Sequence, residues 1–410
     1  MTYRELYVAL KSLYNPSADT IHLPWENIEI QNCAFRSEHW MLLPGATTYS
    51  CHEHNMVFHE KLVSEACIQS HAYPETLKHA DVDITENKDF KYLLFKKTIP
   101  ARADGVILLF HGLNERSWDK YLPWAYKLVS DTGKAVVLFP IAFHMNRAPS
   151  EWGIARPMKE VSDKRRCHSP AVMNSSFANA AISARIEQIP QRFFWSGLQT
   201  FDDIISLISD IKRGTHPSIA PDANFDLFGY SIGSFLGEIL LMANPKRYFE
   251  ASRFFLFCGG PTLDRMFPNS KFILDSDATI AIYSFYTERL ETELVLDRRI
   301  AHFFSEAHPT GIVFKTMLSY QKNKDAREKY FNEIHNRLRA IALKKDHVIP
   351  PSEVLNTLMG EYRDICNQVE VMDFPFPYTH VTPFPTDGVS EWLVDASFDE
   401  VFKKAAEHLR

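Results

Sequence analysis

The chain lacks several features that would assign it to a specialised class of protein. Its 410 residues contain no run of about 18 apolar residues, so no membrane span is expected. Basic residues are not in excess, because 45 Lys and Arg stand against 51 Asp and Glu, and the net charge of −6 gives no electrostatic reason to expect a nucleic-acid partner. There is no internal repeat and no low-complexity tract. Hydrophobic residues make up 45% of the chain and aromatic residues 13%, which is ample material for a large core.

A Cys-x-x-Cys pair and a secretory signal are also missing. The six cysteines are scattered along the chain, and the residues after Met1 form an amphipathic helical pattern that ends at Asn15-Pro16 instead of an apolar segment. Scattered cysteines without a signal favour free thiols in a reducing compartment. We therefore expect a cytoplasmic protein.

Short apolar runs alternate with amphipathic stretches through the middle of the chain. The predicted strands are 105–110, 135–139, 225–228, 253–258, 338–343 and 369–372, and the predicted helices include 118–129, 195–212 and 232–243. A capping box of Ser397 and Glu400 predicts a last helix to about Leu409. Strands that are apolar on both faces predict a three-layer α/β fold with a mostly parallel sheet and helices on both faces. Right-handed crossovers then place the carboxyl ends of the strands along one edge, where ligands bind.

The sequence Gly229-Tyr230-Ser231-Ile232-Gly233 matches G-x-S-x-G and lies where this motif requires. It directly follows the strand 225–228 and directly opens the helix 232–243. A nucleophile elbow turns so sharply that side chains at Gly229 and Gly233 would collide within it. Ser231 is therefore the candidate nucleophile, presented at the sheet edge beside a helix N-terminus.

A serine hydroxyl needs a base, and the base needs an orienting carboxylate. In this type of sheet the order along the chain is Ser, acid, His. Asp346 follows the strand 338–343 and His380 follows the strand 369–372, so both are expected at the edge that Ser231 occupies. The sequence also offers Asp264 and Asp373 as candidates for the acid, and His347 and His308 as candidates for the base.

An oxyanion hole needs two donors, and the chain offers two backbone amides. One belongs to Ile232, just after the nucleophile. The other belongs to Leu113, in the loop that follows His111-Gly112, where glycine allows a close approach to the substrate.

With these motifs the chain resembles the α/β-hydrolase superfamily. The matching features are HGLN at 111–114, GYSIG at 229–233, KDHVIPP at 345–351 and the late His380. The resemblance implies an eight-stranded, mostly parallel sheet and a triad of Ser231, His380 and Asp346. It implies a hydrolase domain over 89–410 with an insertion at 145–194 and a helical cap at 263–335. Residues 1–88 match no subfamily pattern and are expected to form an N-terminal extension that packs on this domain.

The expected function is that of a serine hydrolase cleaving a carboxylic ester of a small-molecule acyl substrate through an acyl-enzyme. This chemistry needs no metal and no organic cofactor. A peptidase or amidase with the same triad is one alternative, and a binding protein that keeps the fold without turnover is another.

Three further stretches attract functional hypotheses. A histidine-rich strand could hold a metal, but it lacks a recognisable spacing, and a solvated polar strand is favoured; its residues are His52, Glu53, His54 and His59. The basic run 164–166 is interpreted as a solvated loop in preference to an anion site. The aromatic stretch 193–195 is interpreted as core, with an acyl-pocket role if the insertion folds over Ser231.

Overall fold

A computed structural model describes residues 1–46, 48–51, 53–59, 77 and 79–410 of the chain. Within them lie a nine-stranded sheet and a two-stranded hairpin. The strands are β1 (Thr20–His22), β2 (Ile28–Arg36), β3 (Thr48–Cys51), β4 (Met56–His59), β5 (Asp89–Lys97), β6 (Ala103–Phe110), β7 (Ala135–Leu138), β8 (Ile219–Tyr230), β9 (Phe254–Phe257), β10 (Leu338–Leu343) and β11 (Gln368–Met372).

The large sheet has the order β1-β2-β5-β7-β6-β8-β9-β10-β11, and β3 pairs with β4 separately. The six strands from β7 to β11 in this order are parallel to one another. The strands β1, β2 and β5 complete the sheet through antiparallel pairs. The sheet thus has one strand more than the resemblance implies, since the three-residue β1 adds an edge beside β2.

Helices cover both faces of this sheet. They are α1 (Tyr3–Leu13), α2 (Thr85–Lys88), α3 (Tyr121–Thr132), α4 (Ala155–His168), α5 (Ala180–Gln188), α6 (Arg192–Lys212), α7 (Ile232–Ala243), α8 (Ser276–Tyr283), α9 (Leu290–Leu296), α10 (Arg298–Phe303), α11 (Pro309–Thr316), α12 (Lys324–Ile334), α13 (Pro351–Leu358) and α14 (Glu391–Leu409), with a π-helical turn at Ser284–Arg289. One apolar core lies between the sheet and α1, α3 and α14. A second, larger core lies on the opposite face, under α6 and α7 and the helices between β9 and β10. The predicted three-layer α/β fold is confirmed.

The last helix begins earlier than its local sequence pattern predicts. It starts at Glu391, and Ser397 is a buried residue inside it instead of its N-cap. The first turn is anchored by a distant part of the chain, because the amide of Tyr3 donates to the Asp395 carboxylate at 2.7 Å. The Tyr3 ring also packs on Phe398, with 4.6 Å between the ring centroids. A capping pattern cannot report such a long-range contact.

Two stretches outside the predicted alternation also have regular structure. Residues 28–36 form β2, which pairs with β5 along its whole length, so part of the N-terminal region belongs to the central sheet. The stretch 145–194, expected to be an insertion, contains α4 and α5. None of the described helices is both long and apolar enough to cross a membrane.

Candidate active site

The turn between β8 and α7 holds Ser231 in a backbone conformation that few side chains adopt. Its φ is 56° and its ψ is −124°. A Cβ at Gly233 would lie 2.4 Å from the carbonyl oxygen of Phe110, and one at Gly229 would lie 2.5 Å from the Cα of Ser234. The two glycines of the motif therefore let the helix start pack against both its own turn and β6. The hydroxyl of Ser231 is left at the carboxyl edge of the sheet.

The side chains of Ser231, His380 and Asp346 form a continuous hydrogen-bonded chain. His380 Nε2 lies 2.7 Å from Ser231 Oγ, and His380 Nδ1 lies 2.7 Å from Asp346 Oδ2. Because a carboxylate only accepts, the ring proton lies on Nδ1 and the lone pair of Nε2 faces the serine. The three residues are 6%, 5% and 3% exposed, so little water competes for these contacts.

Two backbone amides orient the carboxylate of Asp346. Its Oδ1 accepts hydrogen bonds from the amides of Val348 and Ile349, both at 2.9 Å. This leaves Oδ2 for the imidazole of His380. The loop after β10 therefore fixes the carboxylate before any substrate arrives.

The rival acids and bases from the sequence lie elsewhere. Asp264 caps a turn, where it accepts from the amide of Tyr320 at 2.9 and 3.0 Å. Asp373 forms ion pairs with Lys344 and Lys345 at the surface. His347 is exposed, and His308 lies in a separate cluster of polar side chains.

Further residues hold the His380 loop, and most of them carry no sequence signal. The Tyr230 hydroxyl donates to the carbonyl oxygen of His380, and the two rings stack with 5.5 Å between their centroids. The Lys120 ammonium donates to the carbonyl oxygen of Val381 at 3.2 Å and pairs with Glu115. Tyr230 lies inside the G-x-S-x-G motif, but the motif gives no reason to single it out.

The loop after β6 is fixed by a buried histidine. The amide of Ile141 donates to His111 Nε2 at 2.9 Å, so Nδ1 carries the proton and faces the carbonyl oxygen of Gly112 at 2.8 Å. Burial, reinforced by His144, lowers the pKa of His111 well below its ordinary value, which keeps the ring neutral. The amide of Gly112 donates to the Tyr121 hydroxyl at 2.9 Å. These bonds set the backbone path that leads into Leu113.

Leu113 lies at the junction of three spaces near the nucleophile, and Ile232 borders two of them. A cavity of about 30 Å³ has Ser231, Leu113 and Ile232 in its wall. A second apolar cavity, of about 70 Å³, shares Leu113 and Ile232 and extends along Phe193 and Phe194. Leu113 also borders an open groove of about 690 Å³, whose wall includes residues on both sides of His380.

Residues of the stretch 263–283 form much of the wall of the smaller cavity at this edge of the sheet. Phe194 and Trp195 are buried in the larger core, as interpreted for the aromatic stretch 193–195, and Phe193 lines both small cavities. An acyl-pocket role for this stretch stays a prediction. The basic run 164–166 lies on helix α4 instead of a solvated loop. Its Arg165 is buried and forms a two-pronged pair with Asp275, with nitrogen–oxygen distances of 2.7 and 2.8 Å.

Comparison with known families gives a match over the whole chain. A family of unknown function, DUF6051, matches residues 1–410. The chain belongs to DUF6051. No curated protein matches this DUF6051 chain in sequence.

Several solved structures resemble this DUF6051 member at low identity. Carboxyl esterase 2 from the fungus Tuber melanosporum has a TM-score of 0.41 and 13% identity, with 79% of this chain and 82% of that chain covered. A thermostable esterase from Pseudomonas putida has a TM-score of 0.39 and 12% identity, with 79% and 80% covered. The acylaminoacyl peptidase of Pyrococcus horikoshii has a TM-score of 0.41 and 13% identity, with 78% of this chain and 40% of that chain covered. Similarities this distant transfer no substrate to the DUF6051 chain.

Proposed function

We propose that this protein is a serine hydrolase that cleaves carboxylic esters through an acyl-enzyme. Ser231 is the nucleophile, His380 the general base and acid, and Asp346 the carboxylate that orients the imidazole. The observation that carries the proposal is the position of His380, whose Nε2 lies 2.7 Å from Ser231 Oγ while Nδ1 lies 2.7 Å from Asp346. A base within this reach of a hydroxyl, with its second nitrogen held by a carboxylate, is the arrangement that activates a serine.

The reaction follows from these contacts. His380 takes the Ser231 proton as Oγ attacks the ester carbonyl, and the negative charge develops on the carbonyl oxygen. The amides of Leu113 and Ile232 are the proposed donors to that oxygen. His380 then protonates the leaving alcohol, and water releases the acyl group by the same steps. Loss of one oxyanion donor typically costs about 10²–10³ in rate, so these amides would supply a large share of the catalysis.

The cavities and the groove around Ser231 indicate where the acyl part and the leaving group of a substrate would bind. The two small cavities are walled mainly by apolar side chains, which suits the acyl part. Since one water needs roughly 10–15 Å³ of such space, cavities of about 30 and 70 Å³ together suit a short acyl group. The open groove beside His380 has Glu115 and Arg116 in its wall, which suits a larger and more polar leaving group.

The test is labelling and turnover by matched serine variants. Ser231→Ala is expected to lose fluorophosphonate labelling and p-nitrophenyl ester hydrolysis while its circular dichroism is unchanged. Ser209→Ala is the control, because this hydroxyl bonds to the carbonyl oxygen of Ile205 in helix α6 and lies away from the candidate site. It should label like the wild type.

Two results would contradict parts of the proposal. Labelling that persists in Ser231→Ala would refute the nucleophile, and a wild-type chain without labelling or ester turnover would favour a binding protein. In a series of p-nitrophenyl esters, activity should fall as the acyl chain lengthens. Faster cleavage of peptide substrates than of short esters would mean that the protein is a peptidase that uses the proposed triad, and not an esterase.

A further inference from the structure

Four side chains with metal-binding atoms converge far from the triad in the sequence. They come from the end of β3 and the turn that follows it, and from the end of α10 and the N-cap of α11. Their ligand atoms all lie within 4.8 Å of one another. The residues are Cys51, His54, His302 and His308. None of them lines the two small cavities beside Ser231.

Three of the six separations between these atoms are close to those around a small tetrahedral ion. Cys51 Sγ lies 3.3 Å from His54 Nδ1 and 3.4 Å from His308 Nε2, and the Nε2 atoms of His308 and His302 are 3.0 Å apart. Zinc bonds of about 2.3 Å to sulfur and about 2.05 Å to nitrogen at tetrahedral angles give ligand separations of about 3.6 and 3.3 Å. The atoms therefore surround a point with room for Zn²⁺ after small adjustments.

The spacing of the four residues along the sequence also resembles that of zinc ligands. Cys51 and His54 enclose two residues, and His302 and His308 enclose five, which is within the range of structural zinc sites. The second pair is brought together by a compact turn, in which a Cβ at Gly311 would lie 1.7 Å from the carbonyl oxygen of Phe303. His308 is the N-cap of α11, and Pro309 starts that helix.

The surroundings favour ligation over mutual hydrogen bonding alone. The three imidazole rings stand nearly perpendicular to one another, with interplanar angles of 79–86°. The carboxylate of Glu53 lies 3.6 Å from Nδ1 of His308, the nitrogen that faces away from the cluster. A carboxylate on the outer nitrogen is the usual partner of a metal-bound imidazole.

We propose that Cys51, His54, His302 and His308 form a structural Zn²⁺ site that joins the N-terminal hairpin to the segment over the candidate active site. A thiolate and three imidazoles fill all four positions of a tetrahedral zinc, and this leaves none for substrate or water. The thiol gives up its proton when the metal binds, so zinc uptake releases a proton to the solvent.

The proposed site is coupled to the candidate active site through α11. Directly after His308 this helix contributes Thr310 and Phe314 to the wall of the larger apolar cavity. A second contact joins the hairpin to the helices near the candidate active site. The guanidinium of Arg299 on α10 lies between the rings of Tyr49 on β3 and Trp195 on α6, 3.3 and 3.8 Å from their centroids. Zinc would therefore stabilise the wall of the substrate cavity without touching the reaction.

For this histidine-rich stretch the sequence favours a solvated strand, and of its members only His54 is a proposed ligand. His52 lies outside the described residues, and His59 is exposed on β4. The other three ligands could not be predicted from a cluster that spans only eight residues of the sequence. The two halves of the proposed site are nearly 250 residues apart along the chain.

The experiment measures metal on the full chain. After incubation with ZnSO₄ and gel filtration, elemental analysis should find about one zinc per chain. Replacement by Co²⁺ should give the intense visible bands of four-coordinate cobalt and a near-ultraviolet thiolate-to-cobalt band. His308→Ala should lose stoichiometric metal, and Cys51→Ser should lose the thiolate band. Glu53→Gln should weaken zinc binding about 10- to 100-fold, as removal of such outer partners does.

His59→Ala is the matched control, since it removes an exposed histidine of the same hairpin that is not a proposed ligand. It should retain full metal content. The wild-type measurements keep the test independent of whether a ligand variant folds. A wild-type chain without bound zinc, a pale six-coordinate cobalt spectrum, or an equal loss of metal in His59→Ala would each overturn the proposal. Ester turnover is not used as a readout, so failure of the proposed hydrolase function would leave this result unaffected.

Discussion

Helix α7 carries a buried acid whose removal should stabilise the protein. Glu238 is 0% exposed, and neither of its carboxyl oxygens has a hydrogen-bond partner among the described residues. Burial therefore raises the pKa of Glu238 well above its ordinary value of 4.5, because the charged form is disfavoured. We predict that Glu238→Met, which keeps an unbranched side chain of similar length, increases the free energy of unfolding.

The expected increase in the free energy of unfolding has one part that is constant and one part that depends on pH. An unpaired buried polar group costs about 1–3 kcal/mol, and this is the gain expected below pH 4.5, where both states hold the proton. Above pH 4.5 the unfolded chain releases a proton that the folded chain keeps. The stability of the wild type then falls by about 1.4 kcal/mol per pH unit relative to the variant, until the pH reaches the folded-state pKa.

The assay is urea unfolding of wild type and variants, followed by tryptophan fluorescence from pH 4.5 to pH 8. Glu238→Gln separates the two contributions, because it cannot ionise but keeps a buried polar group. Its advantage over the wild type should grow with pH, although it remains less stable than Glu238→Met. The control Glu333→Met changes an exposed residue on α12 and should shift the unfolding free energy little at any pH.

An unfolding free energy of Glu238→Met that is lower than the wild type at pH 7 would refute this reasoning. It would mean that the carboxyl group has a favourable partner, such as bound water, in the folded protein. A gain with no pH dependence would instead show that Glu238 keeps its ordinary pKa in the folded state.

Two further predictions concern the acid of the triad and the contact between the inserted segments. Asp346→Asn would place the NH₂ group of the new side chain against either the His380 Nδ1 proton or the backbone amides of the loop. The kcat for p-nitrophenyl acetate should therefore fall about 10⁴-fold with unchanged circular dichroism. A fall of less than tenfold would contradict the orienting role. Asp275→Asn can still cap α8 but leaves Arg165 without its main counter-charge, so the unfolding free energy should fall by about 3 kcal/mol. An unchanged urea midpoint for Asp275→Asn would show that this buried pair contributes little.

The sequence predicted the parts of the molecule whose signals are local. The junction of β8, Ser231 and α7 could be read because the strand, the glycines and the helix are adjacent in the chain. The edge that gathers Asp346 and His380 followed from the rule that parallel strands end on one side. Asp346 comes three residues after its predicted strand and His380 eight residues after its own, and this rule predicts both at the edge that Ser231 occupies.

Contacts between distant segments could not be predicted in this way. The start of α14 depends on Tyr3, and the burial of Arg165 depends on Asp275, more than one hundred residues later. The Lys120–Glu115 pair that steadies the His380 loop consists of residue types that are usually solvated. For α14 and Arg165 the local pattern predicted a cap and a solvated charge, and a partner from elsewhere in the chain changed the outcome.

The contrast between local patterns and long-range contacts also applies to substrate specificity. The proposed chemistry belongs to loops at the end of a regular sheet. Most of the wall of the smaller cavity comes from the stretch between β9 and β10, which lies outside the predicted alternation, and α11 from the same stretch adds Thr310 and Phe314 to the wall of the larger cavity. If the zinc proposal holds, removing the metal should therefore alter the preference for acyl chain length while leaving the reactivity of Ser231 toward a fluorophosphonate in place. Catalysis and selectivity would then rest on separate parts of one chain, joined through α11.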